Sequence, residues 1–131
     1  MDLKVSSRVV GVGIDLVEVH RIAAAIEKQG VSFLRRIYTD REREYCEGKA
    51  NAAEHFAARF AAKEAVSKAF GTGIGGKIGF LDIEIVNQQS GAPSIVLWGK
   101  AKLLCEARGV MEVLVSLSHT EQMAMATVVL Q

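Results

Sequence analysis

The stretch FAARFAAKEAVSKAFGTGIG, Phe56 to Gly75, decides most of the fold. It lacks proline, is rich in strong helix formers and ends in a glycine cluster that halts a helix. Extended back to Asn51, it predicts a long helix from Ala52 to Phe70, closed by Gly71. At 100° per residue, Ala58, Ala61, Ala62, Ala65 and Ala69 share one broad face. Side chains that small let another element approach closely. Phe56, Arg59, Phe60, Lys63, Ser67 and Phe70 fall on the other side, with Glu64 and Lys68 on the border.

Upstream, Val9 to Ile14 is a short β-rich run ended by Asp15, so an acid at a strand end is expected. Val19, Ile22, Ala23 and Ile26 recur at helical spacing over Val19–Gln29, and Gly30 follows as a stop. Ser32 suits the cap of a short turn through Phe33, Leu34 and Ile37, and Thr39 or Asp40 the cap of a helix to Glu47. Downstream of the glycines come a strand, Phe80 to Val86, and a turn, NQQSGAP, into Ser94–Leu97. A helix over Lys100–Arg108 follows, stopped by Gly109. Met111–Ser118 and Met123–Leu130 read as antiparallel strands joined by HTEQ. Without repeats or linkers, this order predicts one α+β domain over residues 1–131: a small antiparallel sheet packed with a long alanine-rich helix.

Half of the 131 residues are apolar, enough for a core that needs no disulfide or metal. Cys46 and Cys105 match no metal spacing and read as reduced, half-buried thiols of a cytoplasmic protein. No leader or membrane span is expected. A net charge of +1 disfavours a general nucleic-acid binder. Locally, Arg21, Lys28, Arg35 and Arg36 outnumber Glu27, which suits either a solvated face or an acidic partner.

Several motifs are decided by context. Gly71, Gly73 and Gly76 satisfy GxGxxG, but a helix precedes them and a strand follows, the reverse of a dinucleotide-binding unit. There is no GK[ST], so no P-loop, though backbone N–H groups in such a loop can approach a phosphate. Ser118 and His119 are adjacent in a strand and point to opposite faces, which excludes a nucleophile–base pair. His119 with Thr120 suits a phosphate at a strand end or a plain turn, whereas His20 and His55 read as structural. Glu64 and Lys68, four apart, make either a surface ion pair worth ~0.3–0.5 kcal/mol or the edge of a site for a hard cation.

Two segments, GVGIDLVEVHRI (Gly11–Ile22) and the Phe56–Gly75 stretch, together resemble the holo-acyl-carrier-protein synthases. These are short members of the 4′-phosphopantetheinyl transferase superfamily. The likeness continues through FLDIEI, SGAP and SLSHT, nearly the whole chain. It implies that fold, a homotrimer with clefts between subunits, and a magnesium-dependent transfer of phosphopantetheine from coenzyme A to a serine of acyl carrier protein. Adenosine 3′,5′-bisphosphate would leave, and fatty acid synthesis would use the product.

The resemblance also implies roles. Asp15 and Glu64 match the metal ligands, and Lys68 the pyrophosphate contact, which makes these three the catalytic set. Ser67, Gly71 and Gly73 should lie along the coenzyme, Arg59 at its 3′-phosphate, and His119 and Thr120 near the nucleotide across a subunit boundary. Arg21 and Lys28 match the surface that grips the acidic carrier protein. Phe60 stands where many members carry tryptophan, and Ser32 where an aromatic is sometimes found. The competing readings are a metal-independent acyl-coenzyme-A transferase and a non-catalytic trimeric module that binds nucleotides or acidic proteins.

Overall fold

The structure is a computed structural model that describes residues 8–131, so the leading segment MDLKVSS lies outside the described residues. In chain order the elements are β1 (Gly11–Glu18), α1 (Val19–Gln29), α2 (Val31–Ile37), α3 (Asp40–Glu47) and α4 (Ala52–Phe70), then β2 (Ile83–Asn87), β3 (Pro93–Leu97), α5 (Gly99–Ala107), β4 (Val113–His119) and β5 (Met123–Leu130). A short 3-10 turn, Phe80–Asp82, precedes β2 where the sequence predicts strand. The architecture is α+β, as expected. One antiparallel sheet has the order β1-β5-β4, and β2 and β3 form a separate hairpin.

Helix α4 has the predicted bounds, and Gly71 closes it in the left-handed region at φ 78°. It is the hub of the core. Its alanine face, Ala58, Ala61, Ala62, Ala65 and Ala69, is buried, and so are Arg59, Lys63 and Ser67 on the other side. Burial on more than one side explains why no simple amphipathic stripe runs along it.

The alanine face meets β1, and two glycines make that contact possible. A Cβ on Gly11 would lie 2.0 Å from the Ala69 carbonyl oxygen, and one on Gly13 would lie 1.9 Å from that of Ala65. Backbone therefore packs directly on backbone. Gly11, Gly13 and Asp15 alternate on one face of the strand, so the two glycines that admit the helix are followed by a carboxylate aimed at it.

Strand β1 runs on to Glu18, so Asp15 stands within the strand, opposite Ala126, and not at its end. Pairing with β5 over eight positions sustains the strand past the acid. Gly30, not Ser32, provides the entry to α2. Thr39 caps α3 through a reciprocal box with Glu42. Cys46 is wholly buried, where a half-buried thiol was expected, and its burial pushes the thiol up to about 12. Cys105 is partly buried.

The outer face of the β1-β5-β4 sheet carries an apolar patch beside Ser116, Ser118 and Thr127. Val12, Ile14 and Leu16 of β1, Met125 of β5 and Leu114 of β4 are all exposed there. No helix among the described residues is long and apolar enough to cross a membrane.

Candidate active site

The glycine–alanine joint sets two acids against each other. Asp15 on β1 and Glu64 on α4 both open on a cleft of about 350 Å³, lined also by Glu18, Arg21, Ile22 and Phe60. Phe60 stacks on Phe80, with ring centroids 5.4 Å apart, and gives the cleft an apolar wall.

Lys68 does not pair with Glu64. Its Nζ donates to Asp15 Oδ1 at 2.9 Å and to the Ile14 carbonyl at 3.1 Å, which ties the end of α4 to β1. Among the described residues Glu64 has no ion pair of its own. Burial pushes its carboxyl above the usual glutamate range, the Asp15 charge adds to that, and Lys68 opposes it. Lys68 is taken up by Asp15 and Arg21 lies beside Glu18, so three carboxylates face a space with two cations and Glu64 is the under-neutralised one. A divalent, oxygen-seeking cation would relieve it, so the residues fit magnesium. Among the described residues no cluster of three or more His, Cys, Asp or Glu side chains forms a cage. Remaining ligands would come from substrate and water, as magnesium commonly accepts.

Ser67 is buried, and its hydroxyl donates to the Glu64 carbonyl at 2.7 Å. It braces the turn that presents Glu64. Gly71 and Gly73 spend their N–H groups on the end of α4, bonding the carbonyls of Lys68 and Ser67 at 2.9 and 3.3 Å. Those two amides form a helix cap.

Arg59 lies elsewhere. It lines a second pocket, about 420 Å³, between α3 and β2, together with Arg41, Glu44, Tyr45, Ile85, Val86 and Asn87. Its guanidinium stacks on the Tyr45 ring at 4.2 Å and donates to Asn87 Oδ1, while its buried Nε has no partner among the described residues. A buried guanidinium with an unused donor suits an anionic ligand.

His119 and Thr120 sit at the β4–β5 turn. His119 Nδ1 lies 2.9 Å from Glu54 Oε1, and its ring packs on His55 at 5.1 Å. Burial, together with the neighbouring His119, pulls the His55 imidazole below its usual value. Thr120 Oγ1 accepts from the Gln122 and Met123 amides and holds the turn. Glu54 lies ten residues before Glu64 on α4, roughly 15 Å along the axis. Arg21 borders the acidic cleft from α1, and Lys28 projects from the same exposed helix face. One chain thus brings Asp15, Glu64, Lys68 and Arg21 together, but leaves Arg59 and the His119–Thr120 turn in separate places.

The match to the 4′-phosphopantetheinyl transferase superfamily spans residues 11–128. The chain belongs to that superfamily. Within it, the chain is 50% identical to the holo-[acyl-carrier-protein] synthase of Koribacter versatilis over 123 residues, covering 94% of this chain and 98% of that protein. The crystal structure of holo-[acyl-carrier-protein] synthase from Neisseria meningitidis matches with a TM-score of 0.88 at 34% identity, covering 95% of this chain and 99% of that one. The Helicobacter pylori enzyme in complex with coenzyme A matches at 0.82 and 34%, covering 92% and 99%. The chain is therefore an enzyme, a phosphopantetheinyl transferase of the holo-acyl-carrier-protein synthase type. Its alanine-rich helix and small antiparallel sheets are the fold of these transferases.

Sequence reasoning missed Glu54, Tyr45 and Asn87, the contacts that hold His119 and Arg59. No sequence signal marked them. It also missed the buried pair of Lys63 and Glu42, although Thr39-x-x-Glu42 is a legible capping box.

Proposed function

We propose that this transferase moves the 4′-phosphopantetheine of coenzyme A onto a serine of an apo-acyl carrier protein, with magnesium, and releases adenosine 3′,5′-bisphosphate. The observation that carries this reading is the pair of acids, Asp15 and Glu64, opening on one cleft beside Lys68. Magnesium bound there would neutralise charge on the pyrophosphate.

Asp15 and Glu64 would hold the ion through oxygen, and Lys68 would swing its half-exposed ammonium from Asp15 towards the pyrophosphate. The serine Oγ would attack the β-phosphorus and form a new O–P bond. The bond to the bridging oxygen breaks, and its electron pair leaves with adenosine 3′,5′-bisphosphate. The serine proton would pass to water bound at the metal or held by Asp15 or Glu64. Gly71 and Gly73 would border the coenzyme along the cap of α4, with buried Ser67 bracing the turn behind them, and Arg59 would take the 3′-phosphate.

The exposed apolar sheet face of Val12, Ile14, Leu16, Leu114 and Met125 favours assembly, since large apolar patches on a monomer usually mark an interface. A homotrimer burying that face would let His119 and Thr120 of one subunit approach the nucleotide held by its neighbour. Arg21 and Lys28 would grip the acidic carrier protein at the mouth of the cleft.

The test is mass spectrometry of apo-acyl carrier protein after incubation with the enzyme, coenzyme A and magnesium. A gain of one phosphopantetheine, absent with a chelator, is expected. No gain across several carrier proteins would refute the acceptor. A gain unaffected by chelator would refute the metal.

A further inference from the structure

The Arg59 pocket is built across α3, α4 and β2, and one buried ion pair touches all three. Lys63 and Glu42 are both completely buried, with Nζ 2.7 Å from Oε1. Every donor of the ammonium is used, the other two going to the Phe80 carbonyl at 2.9 Å and the Ile83 carbonyl at 2.6 Å. The carboxylate is equally occupied: it also accepts from the Thr39 amide at 2.8 Å and the Ile85 amide at 2.8 Å. One ion pair thus fixes α4, the start of α3 and the backbone of β2 relative to each other.

The pocket's working residues stand on those same three elements. Arg41 and Tyr45 lie on α3 with Glu42, Arg59 lies one turn before Lys63 on α4, and Asn87 lies two residues beyond Ile85 on β2. Arg59 reaches both Tyr45 and Asn87, so its direction depends on how far α3 and β2 stand from α4. The neighbouring Glu84 reinforces the joint by accepting from Thr39 Oγ1 at 2.6 Å, Arg41 at 2.8 Å and Trp98 Nε1 at 3.2 Å. A buried ion pair is a costly way to gain stability alone, because apolar residues of similar volume often do as well. Its directional bonds give something they cannot, a set distance between three backbones.

We propose that Lys63 and Glu42 are positioning residues for coenzyme A: their buried clamp aims Arg59 into the pocket between α3 and β2. This rests on the reading of Arg59 as the 3′-phosphate contact. The clamp touches no substrate, and it acts on KM through that one phosphate.

The experiment compares KM and kcat for coenzyme A and 3′-dephospho-coenzyme A in the parent, Arg59→Gln, Glu42→Gln, Lys63→Met and the double variant Glu42→Leu/Lys63→Met. The double variant removes both charges together, so it keeps a folded protein in the test if Lys63→Met alone unfolds. KM for coenzyme A should rise about tenfold in the clamp variants, with KM for the dephospho form and kcat nearly unchanged. The double variant should recover stability without recovering that preference. A folded double variant with the parental preference, or clamp variants that lose both substrates equally, would overturn the positioning role. If Arg59→Gln keeps the parental preference, the phosphate reading fails and this inference falls with it. A loss of preference in Arg59→Gln but in no clamp variant refutes the clamp alone.

Discussion

Helix α4 carries two lysine–carboxylate groupings five residues apart, and they have opposite fates. Lys63 meets Glu42 in complete burial, and every donor and acceptor of the pair is satisfied. Lys68 meets Asp15 at a half-exposed cleft, where among the described residues the neighbouring Glu64 makes no ion pair. Burial lowers the affinity of the Lys63 ammonium for its proton, and Glu42 partly restores it. At Glu64, by contrast, burial and Asp15 both act against the charged form. A grouping that satisfies itself holds the fold. The one that does not is where a ligand can be useful.

The strongest way to break this contrast is at the unsatisfied group. Glu64→Gln should lower kcat/KM by on the order of a thousandfold, about 4 kcal/mol in transition-state stabilisation, while circular dichroism stays that of the parent. Loss of the fold in this variant would mean that Glu64 is structural after all.

Next comes a matched pair on the stability side. Lys63→Met leaves Glu42 buried and unpaired, and should cost about 3–5 kcal/mol in denaturant unfolding. Lys68→Met should cost less than about 1 kcal/mol, because its partner lies at a wet cleft. Equal costs would erase the distinction between clamp and cleft. Gly13→Ala belongs at a similar level. Its Cβ would collide with the Ala65 carbonyl, so the strand or the helix must shift, at roughly 3 kcal/mol or less, and activity should fall further than stability because the two acids move apart.

The smallest expected effect is on pH dependence. Glu64 has a raised pKa in the folded chain, so between the ordinary glutamate value and that raised value the native state binds more protons than the unfolded one. Without metal, stability should therefore fall slightly as pH rises through this window, and Glu64→Gln should remove that slope. Magnesium binding should weaken as pH falls through the same window, since the ion needs Glu64 ionised. Magnesium should raise the melting temperature of the parent but not of Glu64→Gln.

Much of this was legible in the sequence where the signal is local. The bounds of α1 and α4 follow from spacing and glycine stops, because those forces act within a few residues. The extent of β1 did not follow, because β5 sustains it from the far end of the chain. Asp15 and Glu64 were marked by the family resemblance; spacing alone favoured a Glu64–Lys68 surface ion pair over a cation site. The fates of Lys63 and Lys68 could not be told apart from residue type. What separates them is which elements pack over each face of α4, and that is decided by contacts with α3 and β2 far away in sequence.

The joint of Gly11 and Gly13 against Ala65 and Ala69 has a consequence for recombining such enzymes. Main chain meets main chain there, so the gap between the acids is ruled by atoms that every parent sequence shares. Chimeras taking β1 from one parent and α4 from another should keep a working spacing wherever both parents retain the two glycines and the alanine ledge. The region between them is then free to diverge in carrier preference while the distance between the two carboxylates is inherited unchanged.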